Sequence, residues 1–321
     1  MKEINSTSPI KGQSPHDLVR RKYLAKLHAK TNRNIIAYYS GFLSKPKIDG
    51  IEIDDGDKNG FMLCVHQLDD KQGLDLFLHT PGGDIFAAES LVHYLREMFG
   101  NDIRAVVPQI AMSAGTMMAC ACREIIMGTH SNLGPVDPQF SGIPAIGVLK
   151  EVERAFEEIK NDQRAAFVWN PILSRLAPSF VQQCHWAVER AKEFVSAALS
   201  DGMFRDMPGP EKAVKVNSIA EKLSDLSLNK SHKRHFHYQE CIEMGLNIKL
   251  IEAEFDGEFQ DLVLTVHHCF MHTLDNTGCF KIIENHRGRA LVRSEHRILI
   301  GSPPGPVPQV PDLPTSSGPP H

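Results

Sequence analysis

Three short apolar runs constrain this chain more than anything else in it: Leu74 to His79, Ile103 to Val107 and Glu124 to Met127. Two helix-like stretches, Ile85 to Phe99 and Ser113 to Ala121, separate them. The runs show no alternation of apolar and polar residues, so each predicts a strand buried on both faces. Strands of that kind, joined by helices, belong to a parallel sheet with helices packed on either side. The first helix fits this role, placing Ala88, Leu91, Val92, Leu95 and Met98 on one side. The chain is therefore expected to fold in the α/β class.

The turns at the strand ends are chemically unusual. The first strand runs through Thr80 into Pro81-Gly82-Gly83, where bare backbone N–H groups can approach a ligand without side chains intervening. The second leads to Met112-Ser113-Ala114-Gly115-Thr116, a serine among small residues beside a helix start. A serine there is ordinarily only a cap. Paired with a backbone anion cradle one strand–helix unit earlier, Ser113 acquires what acyl transfer requires, a hydroxyl facing oxyanion donors. The pair points to a serine hydrolase. Asp84 fits a plain capping role for the helix that opens at Ile85. His79, ending a buried strand, reads as a structural histidine.

Elsewhere the pattern gives a helix from Ser14 to Lys30, a strand from Asn34 to Tyr39 and a polar stretch from Ser44 to Gly60. Phe61 to His66 fits a strand or a short buried helix equally well. Gly147 to Leu199 is mostly helical, with breaks expected near Pro171 and Pro178, and Met207-Pro208-Gly209-Pro210 marks a boundary. Helices at Glu211 to Leu226, Tyr238 to Met244 and Glu254 to Leu274 follow, with strands at Asn247 to Ile251 and Phe280 to Glu284. After Gly301 the composition turns to Pro, Ser and Gly, which predicts a disordered tail.

Composition excludes several function classes. The net charge of −4, with both signs interspersed, argues against a nucleic-acid-binding surface, the basic patch from Lys230 to His237 notwithstanding. No apolar run reaches the ~20 residues of a membrane span, and the polar start lacks the apolar core of a secretory signal. A soluble, cytoplasmic protein is expected. Seven cysteines without a Cys-x-x-Cys pair read as reduced core thiols. His232, His235 and His237 with Cys241 invite a zinc reading, but short-spaced partner ligands are missing elsewhere. His267, His268, His272 and His286 receive no role. No Gly-x-x-x-x-Gly-Lys-Ser/Thr loop occurs, so no nucleotide or other cofactor is expected, and any ATP dependence would come from a separate ATPase partner.

The His79-Thr80-Pro81-Gly82-Gly83 turn, the Met112 to Thr116 turn and the later Leu133-Gly134-Pro135-Val136-Asp137-Pro138-Gln139 together resemble the Clp-fold serine proteinases. Among these the chain is most similar to the SDH (serine dehydrogenase) proteinases, relatives of ClpP and SppA, over roughly residues 60 to 290. The resemblance implies a ClpP/crotonase-like ββα-repeat spiral with additional C-terminal helices. With the patterning above, the chain is expected to divide into a helical extension at 1–33, a Clp-fold core at 34–206, a C-terminal α/β part of the same catalytic unit at 207–300 and the tail at 301–321. The resemblance also implies peptide-bond hydrolysis of peptide or unfolded-protein substrates, with assembly into a homo-oligomer.

Carried over position by position, Ser113 is the nucleophile, and the N–H groups of Gly83 and Ala114 form the oxyanion hole. The His-Gln-Pro of ClpP is replaced by Val136-Asp137-Pro138, so its histidine is absent, and His130 falls a few residues early. The SDH order Ser, Asp, His instead implies Asp137 and His232, although Lys233 stands where the group has an acid. A Ser–Lys dyad through Lys150 or Lys160 remains a competing assignment, yet both lie among acidic neighbours on what reads as a solvated helix face. A crotonase-like acyl-CoA enzyme or an inactive peptide-binding or assembly subunit of the same fold are the alternative functions.

Overall fold

A computed structural model describes residues 14–224 and 234–295. The expected tail and the end of the expected helix at 225–226 lie outside the described residues. Helix α1 (Pro15–Thr31) opens at Ser14, whose hydroxyl accepts the His16 N–H, with Pro15 at the first helical position. It leads into β1 (Asn34–Ser40), every residue of which is buried. Helix α2 (Asp57–Val65) settles the ambiguity at Phe61 to His66 in favour of a helix. Then come β2 (Leu74–His79), α3 (Ile85–Phe99), β3 (Ile103–Val107), β4 (Ile110–Ala111), α4 (Ala114–Cys120) and β5 (Glu124–Met127).

Two-residue strands β6 (Asn132–Leu133), β7 (Gln139–Phe140) and β8 (Ile143–Pro144) precede α5 (Ala145–Asn161), α6 (Ala166–Leu173), α7 (Phe180–Asp201) and α8 (Gly209–Ser224). The breaks expected near Pro171 and Pro178 merge in the non-helical stretch 174–179 between α6 and α7. An additional break falls at Asp162, whose extended backbone ends α5 and whose carboxylate accepts the Arg164 N–H. Pro171 sits inside α6, a helix short enough to tolerate one missing donor. The chain ends with β9 (Phe236–His237), α9 (Tyr238–Met244), β10 (Ile248–Leu250), α10 (Gly257–Asn276), β11 (Cys279–Asn285) and β12 (Ala290–Ser294).

The main sheet has the order β10-β5-β3-β2-β1-β11-β12. Pairing is parallel from β10 to β1 and antiparallel through β11 and β12, so the expected parallel sheet carries an antiparallel hairpin on one side. Alternate residues of β1 serve opposite cores. Ile36 and Tyr38 pack with α2, α3, α4, α7 and α8, whereas Ile35, Ala37 and Tyr39 pack with α1 and α10. This is a mixed α/β architecture in layers, helices on both faces of one sheet.

Buried ion pairs tie the layers together. Arg20 of α1, fully buried, binds Glu284 of β11 and donates to Thr273 of α10 at 3.1 Å and Asp17 at 2.7 Å. At the N-terminal edge of the sheet, Asp75 receives Arg33 at 2.7 Å and Arg104 at 2.6 Å. The opposite, C-terminal edge carries the Pro-Gly-Gly and serine turns, where ligands of open α/β sheets bind. Among the described residues no helix is long and apolar enough to cross a membrane. All seven cysteines are free and buried.

Candidate active site

The two turns are laced to each other before any side chain is considered. Thr80 donates its N–H to the Ile110 carbonyl at 3.3 Å, and Met112 returns an N–H to the Thr80 carbonyl at 3.0 Å. Between Ile110 and Cys122 only Ser113 is not buried. Its backbone sits at φ 50°, ψ −118°, a conformation costing a non-glycine residue about 1–3 kcal/mol. A strained serine on a strand-to-helix turn lifts its hydroxyl clear of the sheet, the geometry of a nucleophile elbow. The Ser113 Oγ caps nothing, so it is not spent on helix α4.

Gly82 lies against this serine and Gly83 against Ile53, with φ 97° and 150°, values that L side chains rarely adopt. A Cβ on Gly82 would come within 2.7 Å of the Ser113 Cβ, which measures how closely the turns approach. The Gly82 N–H is taken by the Thr80 hydroxyl at 3.1 Å. The Gly83 N–H and the Ala114 N–H donate to no acceptor among the described residues. Ile53, from the loop before α2, pairs alongside. Its N–H donates to the Gly82 carbonyl at 2.8 Å and its carbonyl accepts the Asp84 N–H at 2.9 Å. Asp84 caps α3 as expected, accepting the Ala87 N–H at 2.8 Å.

Asp137 reaches the same place from the far side. The Thr116 hydroxyl donates to the Ala111 carbonyl at 2.9 Å and accepts the Gly134 N–H at 3.0 Å, tying α4 to the segment after β6. Val136 then donates to the Leu223 carbonyl at 2.9 Å, which fixes the residue before Asp137 against α8. Asp137 is 4% exposed. Ser113, Gly83 and Asp137 line one cleft of about 820 Å³, the size of a ligand pocket, with Ile53, Phe86, Met117 and Ala187. The β7–β8 hairpin, turned by Ser141 (φ 51°) and Gly142 (φ 82°), forms a further wall, and Glu52 and Asp54 line the cleft beside Ile53.

His232 lies outside the described residues. His235 and His237 are exposed, and neither lines the cleft. Lys150 and Lys160 are exposed on α5 and also lie away from the cleft lining. His79 is fully buried against Tyr39, Phe42 and His267, on the face of β2 turned away from α3 and α4. Burial, reinforced by the neighbouring His267, pushes its imidazole down to about 3, so it is neutral. Among the described residues no group of three or more His, Cys, Asp or Glu side chains is placed to hold a metal ion.

Two features escaped the sequence reading. The β7–β8 hairpin had a signal, a Ser-Gly pair between short extended segments. Ile53 had none, because its contribution is made by backbone atoms.

Residues 8–246 match the family of ClpP-like SDH-type serine proteinases. The chain belongs to that family. Two similar proteins come from Methanocaldococcus jannaschii, both described only as uncharacterized. MJ0137 is 28% identical over 236 residues, covering 72% of this chain and 73% of its own. MJ1495 is 30% identical over 183 residues, covering 57% and 54%. In this member of the SDH-type family the matched stretch ends before β10, so β10 to β12 and α10 lie beyond it.

Proposed function

We propose that this SDH-type chain hydrolyses peptide bonds in peptide or unfolded-protein substrates through an acyl-enzyme on Ser113, on a ββα spiral of the ClpP and crotonase kind. The observation that carries the reading is the strained Ser113, whose hydroxyl makes no cap, lining one cleft with Gly83, whose N–H meets no acceptor among the described residues. Ser113 Oγ attacks the scissile carbonyl while its proton passes to a base. The Gly83 and Ala114 N–H groups stabilise the oxyanion, the proton moves to the leaving amine, and water then releases the acyl group. His232 is the base, by resemblance, and Asp137 orients it. The exposed positions of Lys150 and Lys160 disfavour a Ser–Lys dyad, because a catalytic lysine needs burial to lower its pKa.

The protein works as a cytoplasmic homo-oligomer in this reading. Phe156, Phe167 and Trp186 on α5, α6 and α7 are 65%, 85% and 59% exposed, apolar surface that association would cover. Light scattering at micromolar concentration should give more than one chain per particle; a monomer would remove this part.

Fluorophosphonate labelling of the purified protein, read by mass spectrometry, tests the chemistry. An adduct on Ser113 that is absent from Ser113→Ala and strongly reduced in His232→Ala, but retained in Lys150→Ala, is expected. Folded wild-type protein that takes no adduct would redirect the reading to acyl-CoA chemistry or peptide binding, neither of which needs Ser113 to be nucleophilic.

A further inference from the structure

A largely buried charge cluster that the proposed chemistry does not use lies beside the glycine turn, with its Asp54 at the edge of the cleft. Lys281 of β11 is 1% exposed. Its ammonium donates to the Glu52 carbonyl at 2.6 Å and to the two Asp57 carboxylate oxygens at 2.8 and 2.9 Å, with Asp54 at 3.4 Å. Arg293 of β12 grips Asp54 at 2.7 and 3.0 Å and lies 3.5 Å from Asp57. The Tyr38 hydroxyl donates to Asp57 at 2.9 Å, and the Asp54 N–H to the same carboxylate at 3.1 Å. Two acids thus balance two bases. Burial alone would raise the Asp54 carboxyl, but the Arg293 hydrogen bonds and the Lys281 charge outweigh it and hold Asp54 below the usual carboxylate range.

Part of this network, joined by Ser40, holds the backbone on both sides of Ile53. Ser40 pins the Ile51 carbonyl at 2.5 Å, Lys281 the Glu52 carbonyl, and the Asp57 carboxylate the Asp54 N–H. Ile53 in turn holds the Gly82 carbonyl. Gly82 C=O and Gly83 N–H belong to one planar trans peptide unit, in which carbonyl and amide point in opposite directions. Fixing the carbonyl on Ile53 therefore fixes the Gly83 N–H to point away from Ile53, within the cleft that both residues line with Ser113. The fit against Ile53 is close enough to exclude a side chain, since a Cβ added at Gly83 would lie 2.4 Å from the Ile53 nitrogen.

We propose that Lys281 and Arg293 are positioning residues that aim the oxyanion donor of Gly83, acting through Asp54, Asp57 and the Ile53 backbone. Both lie outside the stretch that matches the family, so the C-terminal hairpin has a role in the site without touching substrate. The proposal rests on the serine-hydrolase reading of Ser113.

The test measures phosphonylation of Ser113 in the full chain by a fluorophosphonate, separated into KI and kinact, for wild type, Lys281→Met, Arg293→Gln and Arg104→Gln. Arg104 pairs with buried Asp75 at the other end of the sheet, so its variant removes a comparable ion pair remote from the turn. Loss of an oxyanion donor costs about 10²–10³ in rate, and misaiming one should cost about 10- to 100-fold. The clamp variants should lose that much in kinact with KI unchanged, while Arg104→Gln keeps the wild-type kinact. Arg293 is 25% exposed, so Arg293→Gln carries the test if Lys281→Met fails to fold. Folded clamp variants that react at the wild-type kinact, or an Arg104→Gln that loses as much, would overturn the proposal and leave the hydrolase reading intact. A wild-type protein that forms no Ser113 adduct would overturn both.

Discussion

Ser113 pays for its reach in backbone strain. At φ 50° a Cβ is disfavoured, and nothing in the turn needs that atom except to carry the hydroxyl. Glycine at this position should relieve the strain, whereas alanine keeps it. Ser113→Gly is therefore expected to be about 1 kcal/mol more stable than Ser113→Ala in urea unfolding, both being unreactive toward fluorophosphonate. Equal midpoints would mean that the conformation at 113 carries no strain. Gly83 is the opposite case, where the missing side chain is itself the requirement. Alanine there meets both a φ of 150° and the Ile53 backbone at 2.4 Å. Gly83→Ala should displace the donor and slow Ser113 labelling by about 10²–10³-fold, with circular dichroism unchanged. A variant labelled at the wild-type rate would remove Gly83 from the oxyanion hole.

At the scale of elements, legibility followed burial. The parallel strands β2, β3 and β5 could be read because continuous apolar runs leave them no exposed face, and the turns that end them brought Ser113 and Gly83 to the same edge of the sheet. The strands β4, β6 and β9 could not, since two residues carry no periodicity. Ile53 and the Lys281 cluster were equally hidden, one acting through backbone, the other through partners more than 200 residues apart. The packing of β2 against α10 adds a pH dependence. His79 and His267 face each other with ring centres 5.5 Å apart, among Tyr39, Phe42 and His268, and burial lowers them to about 3 and about 4. Unfolded histidines titrate near 6.5, so between these values the unfolded chain binds more protons. Stability is then fully present above about pH 6.5 and falls with acidification, by about 1.4 kcal/mol per unit for each histidine. Replacing His79 by Phe should flatten that slope between pH 6.5 and 4 in urea titrations, and parallel slopes would exclude His79 as a contributor.

For the whole molecule, the matched family stretch and the folding unit have different ends. Residues 8–246 hold Ser113, Gly83 and Asp137, yet β1 lies between β2 and β11 and is buried along its length. Ending the chain after Leu246 would leave β1 as an open, apolar edge. It would also strip α10 from Leu24, Leu27, Ile35, Tyr39, Phe77 and Val106, and remove Glu284 from buried Arg20. Each loss is costly alone: an uncovered core face, an unpaired buried charge and an exposed edge strand that recruits other chains. A chain truncated at Leu246 should consequently lack a cooperative unfolding transition, bind hydrophobic dye and aggregate. Restoring residues 247–295 should bring back a single transition by circular dichroism, because that segment completes the sheet on both sides through β10 and β11. A soluble truncated chain with a cooperative transition would show instead that the layers on the Ser113 side fold without the C-terminal hairpin, and the sheet would then be divisible between β1 and β11.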